Sequence, residues 1–113
     1  MTEPIVFWEL WDAGTPIAAI EDAFESPGAL DGALLRFAAY STPAYEGYAL
    51  VVFERDGLLW EVNGSHCSCM GLEGQWQPEE TSWGALKTRD GISYGEDPQW
   101  DAALLKLATA EVG

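Results

Sequence analysis

Basic residues are scarce: five Lys and Arg stand against nineteen Asp and Glu in 113 residues, a formal net charge of -14. A surface so short of positive charge repels nucleic acid and anionic membranes at long range and attracts basic proteins. Direct nucleic-acid binding and membrane-surface binding are therefore not expected. Long hydrophobic runs are missing as well. No stretch approaches the roughly eighteen apolar residues of a spanning helix, and the opening "MTEPIVFWELWDAG" carries acids where a signal peptide would carry bases. A soluble, cytoplasmic protein is the expectation. Cysteine is limited to Cys67 and Cys69. A bridge between residues so close in sequence would constrain almost nothing in the unfolded chain, so reduced thiols are expected and no disulfide framework holds the fold. No phosphate-loop motif is present, which leaves nucleotide chemistry without an anchor.

Large apolar side chains are plentiful. Apolar residues make up 48% of the chain, with six Trp, four Tyr and four Phe, enough to offset the entropy of ordering one domain over residues 1–113. "PIVFWELWD", Pro4 to Asp12, is rich in strand formers and reads as a first strand. In "TPIAAIEDAFESPG", Thr15 is placed to cap a helix, Pro16 to open it and Ser26-Pro27-Gly28 to stop it. Ile17, Ile20 and Phe24 form its apolar stripe, which puts Glu21, Asp22 and Glu25 outward as an acidic ridge.

Residues 34–40 are compatible with helix by their alanines, but the turn-rich stretches on either side favour a strand. "GYALVVFERDGLLWEVNGS" is a hairpin around Asp56-Gly57, a dipeptide suited to a two-residue turn in which both residues need positive φ. Leu50, Val52 and Glu54 fall on one face of its first arm and Val51, Phe53 and Arg55 on the other. Both faces are apolar near the middle, as in a central pair covered on each side. Pro78 is expected to open a second helix with Glu79 and Glu80 in its first turn, Trp83 and Leu86 inside, and Lys87 and Arg89 at its end. A terminal helix follows, with Asp97 as cap, Pro98 at its first position and Trp100, Ala103, Leu104 and Leu107 as its apolar stripe. The fold class is α+β: an antiparallel sheet of three to four strands with a central hairpin, packed against about three helices.

"SHCSCMGLEGQWQPEE", residues 65–80, holds the only histidine and both cysteines. His66, Cys67 and Cys69 are the candidate metal ligands. Zinc chelates space their cysteines by two to four residues, and here the spacer is one; with the thiols on one side of an extended chain, His66 points away. A nucleophilic thiol needs a positioned base and a field that favours thiolate, whereas the surrounding acids disfavour it. The remaining reading is packing, with two small thiols buried, glycines making the turns at 64, 71 and 74, and Trp76 filling the core. No metal, no other cofactor and no catalytic residue are expected.

The stretch "GYALVVFERDGLLWEVNGSHCSCMGLEGQWQPEETSWGAL", residues 47–86, resembles a group of small proteins encoded by bacteriophages and prophages, with the pattern EVN, SHCSC, GLE, QW and PEET. Met70 stands where that pattern often has an aromatic, and Trp60 where it often has Tyr. The resemblance implies source and context rather than catalysis. With the charge, it leads to the expectation of a non-enzymatic, stoichiometric inhibitor in a host cytoplasm. Carboxylates would stand in for phosphates against a basic nucleic-acid-binding protein of the host, such as a CRISPR effector, a gyrase, a polymerase or another nuclease. The residues expected to make that contact are Glu21, Asp22, Glu25, Glu54, Asp56, Glu79 and Glu80. The alternative is a small metal-binding or structural accessory protein using the His-Cys-Ser-Cys stretch.

Overall fold

The structure is a computed structural model in which residues 4–8, 15–41, 47–66, 71–88 and 98–112 are described. Strand formers at each end of the first half give β1 (Ile5–Trp8) and β2 (Leu34–Ser41), joined through helix α1 (Pro16–Phe24). The hairpin follows as β3 (Gly47–Arg55) and β4 (Leu58–His66), then β5 (Glu79–Thr81), α2 (Trp83–Lys87) and α3 (Pro98–Val112). The sheet order is β1-β2-β3-β4-β5. All pairings are antiparallel except β1 with β2, which is parallel in the register Ile5↔Phe37 to Trp8↔Tyr40.

The α+β class and the central hairpin follow the expectation, but the sheet differs from three to four antiparallel strands. It is mixed and five-stranded because α1 carries the chain back along β1, so β2 starts from the same end. The further strand, β5, comes from residues expected in a helix. Glu79 pairs opposite Glu61 and Glu80 opposite Trp60, and the helix starts only at Trp83, where the Ser82 hydroxyl accepts the Ala85 N–H at 3.1 Å. Pro78 thus precedes a strand, and the helix opens five positions later than expected.

Core packs on both faces of the sheet. Val51, Phe53 and Val62 meet Ala19, Ile20 and Phe24 of α1, together with Leu72. Trp76 completes this layer, edge-on to Phe24 at a centroid distance of 5.1 Å and stacked on Phe53 at 5.9 Å. Leu50 and Val52 face the other way, with Phe37, and meet Leu86 of α2 and Trp100, Leu104 and Ala108 of α3. A side chain as fully buried as Phe37 contributes roughly 1.5–3 kcal/mol. Ile17, expected in the α1 stripe, is 38% exposed, and Ala19 takes its place beside Ile20 and Phe24. The expected cap Asp97 and the terminal base Arg89 lie outside the described residues. Among the described residues no helix is long and apolar enough to cross a membrane.

Candidate partner-binding surface

The register gathers acids at the end of the sheet marked by the hairpin turn. Asp56 and Gly57 take φ of 55° and 78°, so both turn positions are left-handed and the strands close after two residues. Leu34 begins β2 opposite Glu54, so the loop from α1 arrives at this end. Arg55 fixes that loop: its guanidinium donates to the carbonyls of Ala29 at 2.6 Å and Asp31 at 3.0 Å. The last turns of α1 and α3 reach the same end and carry no base, although a helix C-terminus favours cations by about 0.3–1 kcal/mol each. Asp22, Glu25, Asp31, Asp56 and Glu111 are exposed there.

Not every expected acid is available. Glu21 is half-buried, and its Oε2 accepts the Leu30 N–H at 2.8 Å, so it holds the loop after α1 instead of pointing outward. Glu54 is paired with Arg36. Asp22, Glu25 and Asp56 are exposed as expected, with Glu25 in the left-handed region at φ 51°. Glu79 and Glu80 are also exposed, on β5 rather than on a helix. The structure therefore brings Asp22, Glu25, Glu54 and Asp56 to one end and sets Glu79 and Glu80 along the neighbouring sheet edge.

Arg36 escaped the sequence reading. It occupies a bulge in β2, where Leu35 pairs with Phe53 and the next pair is Phe37 with Val52. The extra residue breaks the two-residue alternation, so Leu35 and Phe37 enter opposite core layers. Arg36 itself is 6% exposed, bonds to the carboxylates of Glu54 and Glu111, and lies 5.1 Å from the centroid of the Trp83 ring. Its Nε is buried without a partner among the described residues. Burial disfavours the guanidinium charge, but Glu111 and Glu54 outweigh it and hold the pKa above its ordinary value. A lone arginine inside the apolar run "LLRFAAYS" was the signal that could have found it.

His66 ends β4, its side chain lies outside the described residues, and Cys67 and Cys69 do too. Among the described residues no three His, Cys, Asp or Glu side chains are grouped to hold a metal. The Gln75 side chain accepts the Ser65 N–H at 2.9 Å and donates to the carbonyls of Ser65 at 2.7 Å and Gly71 at 2.8 Å, fastening the chain on either side. Comparison of the chain with protein-family models, with curated proteins and with solved structures finds no match.

Proposed function

We propose that this protein is a stoichiometric inhibitor whose acidic surface occupies the nucleic-acid-binding face of a basic host protein. The observation that carries the reading is the fate of two of its five basic residues. Both arginines at the hairpin end are turned inward, Arg36 onto two carboxylates and Arg55 onto two carbonyls, while Asp22, Glu25, Asp31 and Asp56 stay exposed. The surface charge there is left unneutralised. Fourteen net charges match roughly 24 Å of duplex axis, at one charge per about 1.7 Å, and the molecule measures 40 × 32 × 23 Å. The resemblance of residues 47–86 to phage and prophage proteins supports a setting inside an infected cell.

In this mechanism the carboxylates steer encounter and complete charge pairs once docked, and no bond is made or broken. The test is competition. Pull-down from host lysate at low and at high salt identifies the partner, and purified partner is then titrated with this protein in the presence of labelled DNA or RNA. Displacement of the nucleic acid at one protein per site is the expected result. Simultaneous occupancy of the partner by nucleic acid and this protein would overturn the reading.

A further inference from the structure

Beside β4, where the chain approaches β5, lies a cleft of about 200 Å3 lined by Asn63, Gly74, Gln75, Gln77 and Glu79. At about 30 Å3 per water it has room for several. Its position follows from a gap in the ladder. β5 pairs with β4 only from Leu59 to Glu61, and at Ser65 the Gln75 amide takes the place of a strand. Asn63 sits between the two. Because backbone groups two residues apart point to the same strand edge, the Asn63 N–H and C=O are directed to the same side as those of Ser65.

Hydrogen-bond accounting sets the polarity of the cleft. The Gln75 amide is engaged at both its oxygen and its nitrogen. Asn63 Nδ2 donates to Glu61 Oε1 at 2.8 Å, which leaves Asn63 Oδ1 as the accepting half of that amide. Glu79 contributes an exposed carboxylate and Gln77 an exposed amide. Acceptor lone pairs therefore outnumber the donors, which are the Asn63 N–H and the Gln77 amide nitrogen, and one acceptor is charged. A guanidinium, planar and carrying five donors with no acceptor, fits that set better than a compact ammonium, which concentrates three donors at one point.

We infer that this cleft seats a single arginine side chain of the basic partner, bonded to Glu79, Asn63 Oδ1 and the Asn63 carbonyl. The inference rests on the inhibitor reading for the source of that arginine, and it adds a discrete, stereospecific contact to a surface that otherwise acts through its field.

The experiment is an NMR titration of the full chain, labelled with 15N, using N-acetyl-arginine amide as probe and N-acetyl-lysine amide as control. Saturable shifts at the amides of Asn63, Gly74, Gln75, Gln77 and Glu79 are expected, with severalfold tighter binding of the arginine derivative. Glu79→Gln together with Gln77→Ala should abolish saturation while leaving the rest of the spectrum in place, since both residues are exposed. Equal response to the two probes, shifts spread over Asp22, Asp31 and Asp56, or no saturation in the millimolar range would overturn the assignment. Charge reversal of Asp22 and Asp56 separates the two readings. It should weaken partner binding and leave the arginine titration unchanged; partner binding that survives counts against the inhibitor reading alone, and loss of the arginine shifts counts against the cleft.

Discussion

Arg36 is where a single side chain ties together the most structure, because it joins β2, β3, α2 and α3 through Glu54, Trp83 and Glu111. Replacing it with Met leaves the two carboxylates without their partner, although both are partly hydrated. Arg36→Met should lower unfolding free energy by about 2 kcal/mol in urea titration, and the loss should shrink when Glu54 and Glu111 are both Gln. Because the Arg36 pKa is raised, its stabilisation is complete below the ordinary arginine value and is lost only as pH climbs into strongly alkaline solution. At the end of α1, Glu25→Gly should raise stability by about 1 kcal/mol by relieving the left-handed backbone, whereas Glu21→Ala should lower it by about 1 kcal/mol by freeing the Leu30 N–H. Thermal melts of the two variants should therefore move in opposite directions. Elemental analysis of chelator-free protein should give far less than one zinc per chain, since the one-residue spacer between Cys67 and Cys69 suits no common zinc chelate.

Among the elements, the hairpin was readable because its turn chemistry and its two apolar arms agree. Gly57→Val forces a β-branched residue into φ 78° and should cost about 1 kcal/mol or more, read as a drop in melting temperature. A close approach lies in β4, where a Cβ on Gly64 would come within 2.9 Å of the Leu72 Cδ2. Gly64→Ala should cost about 1–3 kcal/mol by the same measurement. β5 was not readable: three residues give no period to detect, and Pro78-Glu79-Glu80 carries the chemistry of a helix start. What decides the matter is tertiary, since β4 offers an open edge and Ser82 a better cap. The bulge at Arg36 was hidden for a related reason, as an inserted residue shows only against its partner strand. The acidic end shows both limits. Asp22, Glu25 and Asp56 could be placed outward from turn and helix periodicity, but the bonds that occupy Glu21 and Glu54 come from residues nine and eighteen positions away. Glu79→Lys with Glu80→Lys should shift unfolding free energy by no more than about 0.5 kcal/mol, as expected for exposed strand residues and unlike acids stabilising a helix start.

At the scale of the whole molecule, unneutralised carboxylates would make association with the proposed partner sensitive to ionic strength. Screening over roughly 8 Å at physiological salt weakens both steering and pairing, so affinity for the partner should fall steadily as salt rises, mainly through slower association. Reversing Asp22, Glu25, Asp31 and Asp56 to Lys should reduce the association rate by about tenfold or more, with folding monitored in parallel by circular dichroism. Affinity that stays level across that salt range would sink the inhibitor reading.

The parallel pairing of β1 with β2 sets the order in which the molecule assembles and loosens. β3 and β4 need close only a two-residue turn, whereas β1 reaches β2 after the whole α1 crossover has been folded back, a far larger loop to close before the first ladder bond forms. With four residues at the sheet edge, β1 is the least anchored strand of that pair. Native-state amide exchange should find Val6 and Phe7 opening at lower free energy than Val51 and Val62 at the centre. α1, which carries Asp22 and Glu25, belongs to the same crossover. A partner that grips those acids would select the closed crossover, so its binding should retard exchange in β1.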